Sequence, residues 1–209
     1  MSDARLRELE RRYLETRLPE HEVEWLRARV QAGTLAPERL ALAALLGGPA
    51  ALALEDARRG GIDTLWEAWE AGLDAAPAEL LGRAFLALGR RLLQGLDPAE
   101  RSTQGLRADL EALEAAALGL GEPPPLTVLF AGGESEWAAA QSSLLAAYER
   151  LFPERTPPLR GMDRATQALN STVRHARSAA LLEVVRAELC PWLLGGEDPL
   201  RQRVASRAK

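Results

Sequence analysis

The stretch DRATQALNSTVRHARSAALLEVVRAELC, residues 163–190, decides the fold. At helical spacing, Met162, Ala165, Leu169, Val173, Ala176, Ala180, Val184 and Ala187 form one continuous apolar stripe. A second stripe, Leu181, Leu182, Val185 and Leu189, opens only in the later half. A helix apolar on one side early and on most sides late belongs first at the rim of a domain and then in its centre. By helical rise this core helix would be roughly 40 Å long, and Pro191 is expected to end or kink it.

Working outward, the rest of the chain repeats one punctuation. A proline at the first helical position marks starts at Pro19, Pro37, Pro49, Pro98 and Pro199. Glycine pairs at Gly47-Gly48, Gly60-Gly61, Gly132-Gly133 and Gly195-Gly196 mark ends, where a left-handed residue costs little. Helices are expected at 3–16, 19–32, 37–46, 49–58, 63–73, 77–94, 98–118, 135–152, 163–190 and 198–207. In the first of them Leu6, Leu9 and Tyr13 fall on one side. Gly119–Pro125 and Pro153–Gly161 read as loops because their prolines remove donors. Between them, Leu126–Ala131 reads as a buried turn of helix, since a lone strand would have no partner.

The expectation is therefore an all-α chain, a single multi-helix domain over 1–209 of about nine or ten helices around the long C-terminal core helix. The loops allow a subdivision into 1–118 and 126–209. The uncharged run Leu40–Leu54 is too short to span a bilayer, which takes roughly 20 residues, and Gly47-Gly48-Pro49 cuts it. It reads as two short buried helices meeting at a tight corner, with no role at a membrane.

Composition narrows the chemistry. The chain has 2 histidines (His21, His175), 1 cysteine (Cys190), and lysine only at Lys209. One cysteine makes no internal disulfide, and arginines and glutamates follow Met1 where an export signal would need an apolar run, so a cytoplasmic protein is expected. The net charge of -4 is uneven, with residues 158–209 mildly basic and 1–157 acidic. The preference for arginine, with abundant Ala, Gly and Leu, is most simply the codon usage of a GC-rich genome.

Each candidate for chemistry has a plainer reading. Glu20, His21 and Glu24 share a helical face, but a carboxylate di-metal bundle needs a matching Glu-x-x-His elsewhere, and Thr172 stands three before His175. No metal is expected; Glu24 should instead pair with Arg27 on a solvated face. Cys190 lies at a helix C-terminus, where the macrodipole disfavours a thiolate, and reads as a packed, inert thiol. Gly133-Glu134-Ser135-Glu136-Trp137 misses a nucleophile elbow by its last residue, so Ser135 reads as a helix cap. Asn170-Ser171-Thr172 matches a glycosylation acceptor in the middle of a helix. A phosphate loop would need a lysine that only Lys209 supplies. No cofactor and no catalytic residue are expected.

Tryptophans remain as surface markers. Trp66 and Trp69 share an arc with Ile62, Leu65 and Leu73 and read as core. Trp25 falls opposite Val23, Leu26 and Val30, and either packs under a second helix or stands out as an anchor for a partner. Trp192 reads as buried.

Three segments carry a resemblance: Arg7-Glu8-Leu9-Glu10-Arg11-Arg12, Glu24 to Gly33 (EWLRARVQAG) and Pro37 to Gly47 (PERLALAALLG). They resemble the opening of a group of uncharacterised all-helical proteins of GC-rich soil bacteria. Arg186-Ala187-Glu188-Leu189-Cys190-Pro191-Trp192 with Asp198-Pro199 resembles that group's ending. The resemblance implies an accessory or immunity-type protein that binds another protein, and it brings no active-site residue with it.

The expected function is accordingly a non-catalytic helical protein, accessory, adaptor or immunity-type, that binds another protein. Trp25, Arg201 and Arg203 are its candidate interaction residues. The alternative is a nucleic-acid-binding accessory subunit using Arg160, Arg164, Arg174, Arg177, Arg186, Arg201 and Arg203, with steeply salt-dependent affinity. An enzyme with an unrecognised helical site is the third reading.

Overall fold

Proline is the first residue of four of the nine described α-helices, and glycine in the left-handed region follows several of them. The computed structural model describes residues 3–59, 77–124, 136–155 and 179–208, and among these the regular elements are all helical. They are α1 (Asp3–Thr16), α2 (Pro19–Gln31), α3 (Pro37–Leu45), α4 (Pro49–Arg59), α5 (Ala78–Gln94), α6 (Arg101–Ala117), α7 (Glu136–Leu151), α8 (Ala179–Leu193) and α9 (Pro199–Arg207), with a 3-10 turn at Pro153–Arg155. The expected helix at 63–73 with Trp66 and Trp69, the turn at 126–131, Ser135, and residues 163–178 with His175 lie outside the described residues. So do the glycine pairs at 60–61 and 132–133.

Pro19, Pro37, Pro49 and Pro199 are each the first helical residue. The residues before Pro19 and Pro37, Leu18 and Ala36, are extended and give no side-chain cap, so the fixed φ of proline begins the helix without one. Pro98 departs from the pattern. Asp97 Oδ1 accepts from the Ala99 N–H at 2.9 Å, a turn of its own, and α6 starts only at Arg101.

At the other ends, Gly47 (φ 78) and Gly195 (φ 72) take the left-handed conformation. The next N–H in each case reaches back to close a Schellman motif, Gly48 to the Ala43 carbonyl at 2.9 Å and Gly196 to the Pro191 carbonyl at 2.7 Å. Of the two effects expected of Pro191, ending the helix does not occur. The helix runs through it to Leu193 and stops at the glycines, whose N–H groups bond the Trp192 and Pro191 carbonyls.

Two units divide the chain: Met1–Ala76 with Leu189–Asp198, and Pro77–Glu188 with Pro199–Lys209. In the first, α1 packs on α2, α2 on α4 and α3 on α4. Its buried side chains include Leu9, Leu26, Leu35, Leu40, Ala43, Leu46, Ala51 and Leu54, joined by Leu189, Cys190 and Leu193 of α8. Leu40–Leu54 thus forms the expected corner of two short buried helices.

In the second unit α5 packs on both α6 and α7, and α6 on α7. Leu80, Leu81 and the run Gly82 to Gly89 are all buried, so this helix has no solvent side over most of its length. Glycine lets α7 come close: a Cβ at Gly82 would lie 2.4 Å from Leu151 Cγ, and one at Gly89 2.8 Å from Leu144 Cδ2. The reversed order of those contacts makes the pair antiparallel.

Of the two stripes on the C-terminal helix, the described members of the second are the more buried. Val185 and Leu189 are 1% exposed each, whereas Ala187 of the longer stripe is exposed. Val184 of the longer stripe is half-buried beside the buried Val185, so the side of the helix, rather than residue type, sets the difference. Among the described residues no helix is long and apolar enough to cross a membrane.

Candidate functional site

In the first unit a ladder of rings and cations runs along α1 and α2. Trp25 stacks on Tyr13 with ring centroids 5.3 Å apart and planes 20° apart. Arg17 lies over the Tyr13 ring, 5.4 Å from its centroid, and Arg29 lies 4.9 Å from that of Trp25. The candidate anchor Trp25 is therefore half-buried against α1. Arg17 closes α1 with a positive φ of 54° and an N–H bond to the Tyr13 carbonyl at 2.7 Å. Thr16 Oγ1 fixes the same corner. It donates to the Arg12 carbonyl at 2.8 Å, stands 2.6 Å from His21 Nδ1, and takes the Leu18 N–H at 3.4 Å. Glu24 reaches Arg12 on α1 at 3.3 Å instead of its expected partner Arg27. The turn between helices brings Arg12 within reach.

The same corner carries apolar side chains in water. Leu14 is 50% exposed and Leu18 43%.

Still in the first unit, the C-terminus of α8 is capped by guanidiniums. Arg29 donates to the Leu194 carbonyl and Arg39 to that of Trp192, and Arg39 also lies 5.3 Å over the Trp192 ring. Cations at a helix C-terminus satisfy its free carbonyls and meet the negative end of its dipole. Burial pushes the Arg29 guanidinium below its ordinary value; nearby Glu10 works the other way and Arg39 adds to the lowering. Cys190 is buried, its thiol donating to the Ala43 carbonyl at 3.8 Å.

The second unit contains the densest charge cluster of the described residues. Glu114 of α6 is 0% exposed and accepts from Arg90 of α5, through Nε at 3.0 Å and a second nitrogen. Arg207 of α9 reaches its other oxygen at 2.7 Å, and Arg203 stands 3.6 Å away. Glu188 of α8 takes Arg90 at 3.2 Å and both terminal nitrogens of Arg203. Glu111 lies 3.9 Å from Arg207. Every carboxylate here is answered by a guanidinium, which is how buried charge is tolerated.

Sequence reading named Arg203 but missed this cluster. The signal was present: Leu106, Leu110 and Glu114 fall at i, i+4 and i+8, an acid inside an apolar stripe. Arg201 is exposed. Arg186 pairs with Glu183 at 2.5 Å, and Arg160, Arg164, Arg174 and Arg177 lie outside the described residues. Among the described residues no group of three or more His, Cys, Asp or Glu is placed to hold a metal ion. No family model, curated protein or solved structure matches the chain.

Proposed function

We propose that this chain works by binding another protein in a bacterial cytoplasm, as an accessory, adaptor or immunity-type component, through the corner between α1 and α2. The observation that carries the reading is the pair of half-exposed leucines, Leu14 and Leu18, on a turn held rigid by Arg17, Thr16 and His21. Exposed leucine on a fixed scaffold is area a partner buries without an ordering cost. Trp25 stiffens the corner from behind through Tyr13, and charged Arg11, Arg12, Glu15 and Glu24 rim it. Arg201 and Arg203, the other two candidate interaction residues, belong to the second unit.

The experiment is affinity capture with the whole chain, followed by titration of the purified partner against wild type and Leu14→Asp/Leu18→Asp. The expected result is affinity lowered by roughly tenfold or more, with an unchanged far-UV circular dichroism spectrum. Equal affinity would remove this corner from the account. Binding of duplex DNA or RNA that falls steeply with salt would replace the reading by the nucleic-acid one, and turnover of a substrate would replace it by an enzyme.

A further inference from the structure

Helix α9 is attached differently from the helices beneath it. Only Leu200 of its residues is buried, so it contributes little to the apolar core of its unit. Its basic side chains do more. Arg203 and Arg207, four apart and hence on one face, reach Glu188, Glu114 and Glu111. With α9 in place the cluster balances, Arg90, Arg203 and Arg207 against Glu111, Glu114 and Glu188. Without it Arg90 alone would serve the buried Glu114 and the nearly buried Glu188.

The geometry points to α9 as a detachable strap, charge-locked over Glu114 and Glu188, that leaves and returns as one piece while α5 and α6 stay folded. Three features support this. Glu114 and its partner Arg90 belong to helices that pack on each other and have buried apolar residues of their own, Leu86 and Leu92 on α5 and Leu106, Leu110 and Leu113 on α6. Arg90 bridges Glu114 and Glu188 independently of α9, so an open state keeps one cation in the cluster. Arg203 Nε is buried without a hydrogen-bond partner, so the lock rests on the two terminal nitrogens of Arg203 and on Arg207. Opening would expose two carboxylates that are otherwise withheld from solvent.

Hydrogen exchange of the full chain, read by mass spectrometry, tests this. In Arg203→Gln/Arg207→Gln the amides of residues 199–208 should exchange faster by roughly a factor of ten or more, with α5 and α6 as protected as in wild type. Glu114→Gln/Glu188→Gln, which removes the lock from the other side, should accelerate the same segment, and Leu200→Ala should do so less. Unchanged exchange in the arginine variant would overturn the proposal. So would an equal effect of Leu200→Ala, or, in the arginine variant, loss of protection in α5 and α6 together with α9.

Discussion

The Arg39 guanidinium meets Trp192 twice, lying 5.3 Å from the centre of its ring and donating to its backbone carbonyl. A planar guanidinium does both at once, and a lysine ammonium does not. Arg39→Lys should therefore destabilise the first unit by about 1 kcal/mol, and Arg39→Ala by at least as much. Urea unfolding followed by tryptophan fluorescence measures both; a lysine variant equal to wild type would show that charge alone suffices.

Glu114 is wholly buried among the guanidiniums of Arg90, Arg203 and Arg207. Removing the acid strands that positive charge, and Glu114→Ala is expected to cost about 3–5 kcal/mol. Glu183→Ala, which breaks an exposed pair with Arg186, is expected to change stability by less than about 1 kcal/mol. Denaturation midpoints of the two variants give the contrast directly.

Glycine-to-alanine changes in neighbouring helices should move stability in opposite directions. At Gly105 of α6 an added Cβ meets nothing within 4 Å, so alanine should stabilise by about 0.5–1 kcal/mol through helix propensity. At Gly82 of α5 it would sit 2.4 Å from Leu151 Cγ, and overpacking of about 1–3 kcal/mol outweighs that gain. Thermal unfolding midpoints should rise for the first and fall for the second.

Burial raises the Glu22 carboxyl, with Arg17 lowering it by less, and burial raises that of Asp109. An acid whose folded value is raised gives stability that is complete below its unfolded value and lost as pH climbs through the folded one. Glu22→Gln and Asp109→Asn should therefore be more stable than wild type at neutral pH. The advantage should disappear towards about pH 4, the ordinary carboxylate range. Urea midpoints across pH 3.5 to 7.5, on the order of that range, check the sign.

Much of the architecture was legible in the sequence because its helix boundaries are written in proline and glycine. Pro19, Pro37, Pro49 and Pro199 open helices, and Gly47 and Gly195 close them, by backbone rules that act within a few residues. Pro98 misled because Asp97 supplies a local turn that competes with helix entry. Pro191 misled because the carbonyl capping beyond it depends on Arg29 and Arg39, which lie far away in the chain. The candidate residues divide in the same way. Trp25 was placed by its helical face, yet its partner Tyr13 sits on another helix. The cluster around Glu114 draws on α5, α6, α8 and α9, a juxtaposition that no local pattern announces.

The bonds that complete the first unit span most of the polypeptide: Cys190 to Ala43 is a separation of 147 residues, and Arg29 to Leu194 one of 165. During synthesis α1 to α4 emerge long before the segment that finishes their packing. Closing so long a loop is entropically expensive and slow. A nascent chain interrupted before Leu189 would leave Ala43 and Gly48 without their late-arriving neighbour Cys190, an apolar surface for chaperones to cover until translation is done.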